Sequence, residues 1–317
     1  MYIFKKYEVI SIDGLEKIGF GECADVYKLD DKKCIKVFRN YIEYYFPYTE
    51  QKNIKIAFSK KIPTYKPYNI VKCKKNNSNE LLFGLVLEFI EGETLSDYMN
   101  THKNEIENLA KLSAEKAKYI HSIQINPEEF RIKNHSIYLA GLVSLAQKFF
   151  DKKYIMNLID FIISIPKTNN LLIGDFHPKN LMIRNKTKEL LFIDLILISY
   201  GHPIFDLVSC GAILKILSDH IPKHVQIFSG MNSEISLLYY NTFVNEYIKD
   251  FSEDLKKLWL DVIEILVFAR FCFYLILVER REGGTEMLKP CFDYINKNIE
   301  IISKEANRLK PSLCKLI

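Results

Sequence analysis

The chain has 317 residues, of which 48% are hydrophobic, so it can build a sizeable core in one large domain or two modest ones. This composition excludes a chain that is disordered throughout. Lys and Arg outnumber Asp and Glu by only 44 to 39, which gives no concentrated basic face, and we therefore expect no nucleic-acid partner.

Short strands are predicted near the start of the chain. Gly and Asp turn signals divide the segments 16–29 and 33–38 into strand-length apolar runs. A helix is predicted within 41–60, with its regular part beginning at Pro47 because proline fits the first helical turn. Two further apolar runs, 70–73 and 81–90, follow, and the polar stretch 74–80 between them predicts a hairpin turn.

Helical spacing of apolar residues dominates the rest of the chain. The segments 95–123 and 136–165 are predicted to be helical, whereas 171–198 returns to short strands around a loop. Helices are predicted again from Pro203 to the end, with breaks near Pro222, Gly230 and Gly283-Gly284. These patterns predict an α+β fold with a small β-rich N-terminal lobe and a larger, mainly helical C-terminal lobe, divided as 1–91 and 92–317.

Three features suggest a cytoplasmic protein. The seven cysteines are odd in number and none forms a CxxC pair, which argues against a disulfide framework and a structural zinc site. Residues 1–10 lack the apolar segment of a signal peptide. The most hydrophobic stretch, 259–278, is interrupted by Asp261, Glu264 and Arg270, so we expect a buried helix and no membrane partner.

The strongest chemical signal is the segment IGDFHPKNLMI at 173–183, followed by FID at 192–194. Phosphoryl transfer to a hydroxyl needs a carboxylate that orients the hydroxyl and accepts its proton, and oxygen ligands for Mg²⁺. Asp175 is predicted to be the catalytic base, and Asn180 and Asp194 are predicted to be the metal ligands. The alternative interpretation, turn residues and a strand-end cap, suits each residue alone but not the ordered set.

A second signal is the segment GFGECADVY at 19–27. Gly19 and Gly21 allow a tight hairpin whose main chain can lie close to phosphates. On their own, glycines between strands more often mark an ordinary turn.

Lys36 adds weight to this signal because it lies in the middle of an apolar strand, where an ammonium group needs a partner. A phosphate and a helix carboxylate would supply partners. Glu50 and Glu43 are the candidate carboxylates, and we favour Glu50 because it lies beyond Pro47 in the more regular part of the helix. Alternatively, Lys36 points to solvent from the polar face of a half-buried strand.

A third feature is the apolar strand that ends in LEFIEGETL at 87–95. Gly92 suits a hinge between two lobes. Main-chain groups from Glu88 to Ile90 are predicted to bind the edge of an adenine, and the alternative is a linker that contacts no ligand.

The chain resembles the aminoglycoside phosphotransferase and choline kinase-like small-molecule kinases, which share the protein-kinase fold. The sequence GDFHPKN at 174–180 and Ile-Asp at 193–194 look like the catalytic and metal-binding loops of this family. The runs GHPIFDL at 201–207 and IPT at 62–64 are similar to a bacterial branch often described as sugar kinases. The resemblance covers residues 19–211 in collinear order.

The resemblance implies a two-lobed kinase that uses ATP and Mg²⁺, with an N-terminal nucleotide-binding lobe and a C-terminal catalytic and substrate-binding lobe. Asp175 would be the base, and Lys36 would bind the α- and β-phosphates. His177 and Asp206 would hold the loops by hydrogen bonds. Three departures are Ile173, where many relatives have His, Leu195-Ile196, where protein kinases have Phe-Gly, and Ala24, at the last glycine position of the phosphate loop.

We therefore expect a kinase that transfers the γ-phosphate of ATP to a hydroxyl of a small molecule, such as a sugar, a sugar-like compound or an amino alcohol. A nucleotide-binding regulator without catalysis is disfavoured because no catalytic position is substituted. A kinase acting on proteins is disfavoured because eleven residues between Asp194 and Asp206 are too few for a long activation segment. Candidate acceptor-pocket carboxylates are Glu246, Asp261, Glu264 and Glu279, with pairing to neighbouring residues as the favoured alternative for Glu264 and Arg270.

Overall fold

The computed structural model describes residues 7–21, 23–42, 45–75, 80–279 and 285–316. By its internal contacts the chain divides into two compact units. The first comprises Met1–Glu93 and Leu181–Leu197, and the second comprises Thr94–Asn180 and Ile198–Ile317. Compactness alone assigns no role to a unit, so the functional division into 1–91 and 92–317 stays a prediction.

The first unit is built on a six-stranded sheet with the strand order β1-β5-β6-β4-β3-β2. Pairing is antiparallel from β5 through to β2, and the edge pair β1 and β5 is parallel. One face buries branched apolar side chains such as Ile35, Val71 and Val86. The strands are β1 Val9–Ser11, β2 Lys17–Phe20, β3 Ala24–Lys28, β4 Lys33–Phe38, β5 Pro67–Lys74 and β6 Leu81–Glu88.

Helix α1, Phe46–Ser59, follows β4 and has proline in its first turn, as the sequence predicts. Its buried face repeats at helical spacing and carries two polar residues, Glu50 and Asn53, beside the apolar Ile54 and Ala57. Fully buried Glu and Asn side chains are uncommon and need hydrogen-bond partners. The predicted hairpin turn at 74–80 falls largely on residues outside the described ones.

A second, three-stranded sheet has the order β11-β10-β7, with β7 Gly92–Thr94, β10 Leu181–Arg184 and β11 Leu190–Phe192. The β10–β11 hairpin leads directly into Asp194 and a short 3₁₀ segment, Leu195–Leu197. Asp194 thus belongs to the first unit, although it comes much later in the sequence than the other strands of that unit.

The second unit is mainly helical. Its core includes large, fully buried aromatic side chains such as Phe161, Phe205 and Phe271. The helices are α2 Leu95–Thr101, α3 Ile106–His121, α4 Pro127–Phe130, α5 His135–Ser144, α6 Lys152–Ile163, α7 Ile204–Leu214, α8 Ile216–His220, α9 Pro222–Ser229, α10 Ser233–Ile248, α11 Glu253–Glu279 and α12 Thr285–Leu309.

Local sequence explains several of these helix ends. Thr94, Asn134 and Asn232 cap α2, α5 and α10, because each side-chain oxygen accepts a main-chain N–H of the first turn. Gly230 ends α9 in the left-handed conformation, with φ of 76°. The predicted breaks at Pro222 and Gly230 are confirmed, whereas the one at Gly283-Gly284 lies outside the described residues.

A small sheet of β8 Lys133–Asn134, β12 Ser199–Tyr200 and β9 Leu171–Leu172 completes the second unit. The hydrophobic stretch 259–278 lies inside α11, as predicted. No helix within the described part of the chain is long and apolar enough to cross a membrane. The predicted α+β class, with a β-rich N-terminal part and a mainly helical C-terminal part, is confirmed.

Gly92→Ala is predicted to destabilise the first unit. A Cβ at this position would lie 2.2 Å from the main-chain oxygen of Ile183, so β7 and β10 would have to separate. We expect the free energy of unfolding to fall by about 2 kcal/mol in denaturant titrations. Gly141→Ala in α5, where nothing lies within 4 Å of the added Cβ, is the matched control and should be neutral or slightly stabilising. Equal unfolding midpoints for the two variants would contradict the prediction.

Candidate active site

Lys36 lies in β4, and two carboxylates hold its ammonium group. Lys36 Nζ is 2.9 Å from Glu50 Oε2 and 3.0 Å from Asp194 Oδ1. Glu50 is fully buried, whereas the side chain of Asp194 is 43% exposed. Of the two glutamates that the sequence offers, Glu50 is therefore the one bonded to Lys36, and Glu43 lies outside the described residues.

Tyr65 completes this group, which we call the Lys36 cluster: Lys36, Glu50, Tyr65 and Asp194. The Tyr65 hydroxyl donates to Glu50 Oε1 at 3.0 Å and accepts the main-chain N–H of Asp194 at 3.0 Å. Asp194 has a positive φ of 55°, a conformation that non-glycine residues seldom adopt without support from their surroundings. The cluster thus fixes the main chain of Asp194 as well as its carboxylate.

The charges of the cluster depend on one another. Burial acts to lower the pKa of Lys36, but the carboxylates of Asp194 and Glu50 outweigh it and raise the pKa above its usual range, so Lys36 is a full cation at neutral pH. Burial, together with the negative charge of Asp194, raises the pKa of Glu50, and Lys36 opposes this shift. Two carboxylates so close together are tolerated because the ammonium lies between them.

The other predicted nucleotide-contacting residues lie in or next to strands of the same sheet. Gly19 pairs with Val26 in the β2–β3 hairpin, and Gly21 N donates to Ala24 O at 2.8 Å, which closes the turn. This is the hairpin predicted from the two glycines. The main chain at Gly19 and Gly21 carries no side chain that would keep a ligand away.

Glu88 and Ile90 lie where β6 ends. The Glu88 carboxylate accepts hydrogen bonds from Arg184 Nη2 at 2.7 Å and from Lys66 N at 3.0 Å, so its side chain is already occupied. Ile90 is buried, and within the described residues its main-chain N–H has no hydrogen-bond partner. Because buried main-chain donors are nearly always hydrogen-bonded, this N–H is a candidate donor for a ligand.

In the second unit, the segment 173–180, which we call the Asp175 loop, connects β9 to β10. Arg270 Nη2 donates to Asp175 Oδ1 at 2.9 Å, and Asn180 Nδ2 donates to the Asp175 main-chain oxygen at 3.0 Å and to Oδ2 at 3.3 Å. His177 Nε2 lies 3.5 Å from Oδ2. The carboxylate is thus held in one orientation while its side chain keeps 29% exposure.

These neighbours set the charge of Asp175. Burial acts to raise the pKa of Asp175, but His177 and Arg270 outweigh it, with help from Asn180, and lower the pKa to about 2. Asp175 is therefore an anion throughout the neutral range. It can accept a hydrogen bond from a hydroxyl but is a weak base in the ground state.

Asp206, at the start of α7, holds the beginning of the Asp175 loop. Its buried carboxylate accepts the main-chain N–H groups of Ile173 at 2.9 Å and Gly174 at 2.7 Å. His121 Nε2 lies 2.9 Å from the same carboxylate. Gly174 has a φ of 81°, which a residue with a Cβ rarely adopts. These bonds confirm the loop-holding role expected for Asp206.

The polar atoms of the site suit Mg²⁺, which takes hard oxygen ligands and usually keeps waters and substrate phosphates in its shell. The Asn180 amide directs its nitrogen at Asp175, which leaves Oδ1 without a hydrogen bond in the described chain. Asp194 offers a half-exposed carboxylate. No cluster of three or more His, Cys, Asp or Glu side chains that could hold a metal occurs among the described residues. Asn180, in the second unit, and Asp194, in the first, therefore each keep an oxygen of the type that Mg²⁺ accepts.

Three important residues were not identified from the sequence. Tyr65 follows the IPT segment but carries no motif of its own. Asn53, one helical turn after Glu50, donates to the main-chain oxygens of Leu195 and Ile196 at 2.8 and 3.0 Å. For Arg270 the sequence predicts a charge that lines a pocket or pairs with a neighbour, but not its partner Asp175, which lies 95 residues away in the sequence.

The four candidate acceptor-pocket carboxylates are dispersed. Glu246 is bonded to Lys249 and Glu279 to Lys148, each at 2.5 Å. Glu264 is exposed and makes no pair with Arg270. The charged residue of α11 that binds Asp175 is thus Arg270, a cation, and not one of the predicted acidic residues.

Comparison with known proteins identifies the relatives of this chain. The sequence model of the phosphotransferase enzyme family (APH) matches residues 58–221, more than half of the chain. A search of curated proteins gives no match.

Solved structures share the fold at low sequence identity. The gentamicin complex of APH(2")-IIa is 15% identical with a TM-score of 0.56, covering 89% of this chain and 91% of that one. The amicoumacin kinase hAmiN, in complex with AMP-PNP, Ca²⁺ and Ami, is 12% identical with a TM-score of 0.59, covering 93% and 90%. A choline/ethanolamine kinase family protein from Mesorhizobium loti is 9% identical with a TM-score of 0.56, covering 94% and 92%. These matches confirm the predicted resemblance and the protein-kinase-like fold.

Asp206→Asn is predicted to loosen the Asp175 loop. Ile173 N and Gly174 N bind different oxygens of the carboxylate, so replacing either oxygen with NH₂ would place a donor against a donor. We expect the free energy of unfolding to fall by about 2 kcal/mol, measured by chemical denaturation. Asp219→Asn, on the exposed end of α8, is the control and should unfold like the wild type. Wild-type stability of Asp206→Asn would contradict the role given to Asp206.

Arg270→Gln is predicted to change how stability depends on pH. The pKa of Asp175 is depressed from 3.8 to about 2, so the ion pair stabilises the fold above pH 3.8 and loses its effect as the pH falls through about 2. The difference in Tm between wild type and Arg270→Gln should therefore be largest above pH 5 and shrink towards pH 2. Arg270→Lys, which keeps a cation, should lie between them. A difference that does not vary with pH would show that Arg270 acts by packing alone.

Proposed function

The chain belongs to the phosphotransferase enzyme family, and from this premise we propose that it is a kinase that transfers the γ-phosphate of ATP to a hydroxyl of a small molecule. Family membership confirms the broader prediction of a phosphotransferase with an alcohol group as acceptor. The observation that carries the finer proposal is the carboxylate of Asp175, which is ionised, part-exposed and fixed in orientation by Arg270 and Asn180.

In this proposal the first unit binds the nucleotide. Lys36 meets the α- and β-phosphates, with Glu50 keeping its ammonium in place. The main chain at Gly19 and Gly21 lies over the phosphates, because a hairpin without side chains at these positions allows close approach. At the end of β6, the main-chain oxygen of Glu88, which accepts only a long bond of 3.6 Å from Cys34 Sγ among the side chains, and the N–H of Ile90 bind the adenine edge.

Asn180 and Asp194 would hold Mg²⁺, which neutralises the charge that builds up on the phosphates during transfer. The structure of the amicoumacin kinase hAmiN contains AMP-PNP and Ca²⁺, which supports the use of a nucleotide and a divalent cation by this relative. For this chain, the support is that Asn180 Oδ1 has no hydrogen bond in the described chain and that the Asp194 carboxylate is half-exposed.

Asp175 would accept a hydrogen bond from the acceptor hydroxyl and so point its oxygen lone pair at the γ-phosphorus. The new O–P bond forms as the β–γ bridging bond breaks, and the hydroxyl proton passes to Asp175 late in the transfer. A carboxylate with a pKa of about 2 suits this order of events, since the hydroxyl becomes acidic only once it is bonded to phosphorus.

The acceptor class proposed is a sugar, a sugar-like compound or an amino alcohol. The relatives bind gentamicin or amicoumacin, or belong to a choline/ethanolamine kinase family. Glu246 and Glu279 are neutralised by their own lysines, and Arg270 contributes a positive charge beside the base. A highly cationic acceptor is therefore disfavoured relative to a neutral one.

Asp175→Ala is predicted to abolish transfer while nucleotide binding is retained. We would incubate the protein with ATP and Mg²⁺ in a metabolite extract and identify newly phosphorylated compounds by mass spectrometry. The wild type should give a product that Asp175→Ala lacks, with a loss of at least roughly 1,000-fold in rate. Asp293→Ala, which breaks an exposed ion pair on α12, is the control and should keep full turnover.

Each result of this experiment has a definite meaning. Full turnover by Asp175→Ala would remove Asp175 from the chemistry. ATP binding by the wild type without any product would favour a nucleotide-binding regulator, and labelling of proteins in preference to metabolites would favour a protein kinase.

A further inference from the structure

The hydroxyl of Tyr65 lies at the junction of two elements that the proposed function requires. It donates to Glu50 Oε1, the carboxylate that holds Lys36, and it accepts the main-chain N–H of Asp194, both at 3.0 Å. Tyr65 is only 5% exposed and Glu50 is fully buried. A buried hydroxyl with both its donor and an acceptor position in use is held in one orientation.

Tyr65 itself is fixed by the segment that precedes it. Thr64 Oγ1 donates to Phe192 O at 2.7 Å, and Phe192 N donates to Pro63 O at 2.9 Å. This parallel bridge runs alongside β11, two residues before Asp194. β11 thus sets the position of Tyr65, and Tyr65 in turn supports Asp194 just beyond the end of β11.

Helix α1 contacts the other side of Asp194. Asn53 Nδ2 donates to the main-chain oxygens of Leu195 and Ile196. Together, Asn53 and Tyr65 hold the main chain just after and at Asp194, where φ is 55°. These contacts keep the carboxylate of Asp194 within 3.0 Å of Lys36 Nζ.

We propose that Tyr65 is a positioning residue that couples Glu50 to Asp194, so that the cation and the metal-binding carboxylate of the Lys36 cluster are held in place relative to each other. The proposal rests on the proposed function for the roles of Lys36 and Asp194. It adds that hydrogen bonds from the buried Asn53 connect α1 to the main chain just after Asp194.

The alternative interpretation is that Tyr65 is an ordinary core tyrosine whose hydroxyl is hydrogen-bonded but positions nothing in the site. The two interpretations differ in what the loss of the hydroxyl does. If Tyr65 is only a core residue, loss of its hydroxyl would lower the stability of the protein and do nothing else. If Tyr65 is a positioning residue, the same change would release the Asp194 amide and alter the metal dependence of nucleotide binding.

Hydrogen exchange tests the coupling without relying on any activity. Tyr65→Phe keeps the ring and removes the acceptor of the Asp194 N–H. We expect the amide of Asp194, measured by exchange mass spectrometry of overlapping peptides, to exchange roughly tenfold faster than in the wild type.

Two variants serve as controls. Tyr240→Phe removes a buried hydroxyl that has no hydrogen-bond partner within the described residues, so it should leave exchange at Asp194 unchanged. Thr64→Val removes one of the hydrogen bonds that hold the segment before Tyr65 but keeps the Tyr65 hydroxyl that accepts the Asp194 N–H, so it should accelerate exchange at Asp194 less than Tyr65→Phe does. Unchanged exchange at Asp194 in Tyr65→Phe, or equal acceleration in Thr64→Val, would overturn the proposal.

The second measurement is the Mg²⁺ dependence of binding a non-hydrolysable ATP analogue, followed by calorimetry. We expect Tyr65→Phe to raise the Mg²⁺ concentration for half-maximal binding by roughly tenfold, with a smaller change in metal-free binding, because Asp194 is the group released. An equal loss with and without Mg²⁺ would overturn the metal part of the proposal. If the wild type fails to bind the analogue, the proposed function fails, while the exchange result still decides whether Tyr65 holds Asp194.

Discussion

The ion pair of Lys36 with Glu50 is the interaction on which the first unit depends. An ammonium group on a central strand and a fully buried carboxylate on α1 are both costly to desolvate, and each is tolerated because the other is 2.9 Å away. Removing Lys36 would leave the buried carboxylate of Glu50 without its counter-charge, so this pair holds the helix to the sheet. The half-exposed Asp194 then binds to a cation that is already fixed in place.

The two candidate catalytic carboxylates are supported in the same way, although they lie in different units. Asp194 is held through its main-chain N–H by Tyr65, and the Asp175 loop is held through the N–H groups of Ile173 and Gly174 by Asp206. In both places a buried side chain binds the main chain in or beside a residue of positive φ. The side chains that would meet the ligands are thus left open, because their supports act on the main chain.

The sequence predicts the parts of this site that follow from local pattern. Lys36 in an apolar strand, Glu50 beyond Pro47 and the order of Asp175, Asn180 and Asp194 all depend on short-range spacing, and the structure pairs Lys36 with Glu50. Tyr65 and Arg270 could not be predicted in this way, because their partners lie 129 and 95 residues away. An aromatic residue after a proline segment, or an arginine in an apolar helix, has the same local pattern whether it packs in a core or orients a carboxylate.

The charge state of Asp175 fits phosphoryl transfer better than other chemistry that uses a carboxylate base. Enzymes that remove a proton from carbon, or protonate a leaving group, raise the pKa of the carboxyl by burial in apolar surroundings. Here His177, Arg270 and Asn180 do the opposite and bring the pKa to about 2. Phosphoryl transfer is catalysed mainly by positioning and by electrostatic stabilisation, and the acceptor loses its proton late. A carboxylate that is weakly basic but fixed in direction meets that requirement, and the hydrogen bonds from Arg270 and Asn180 supply the direction.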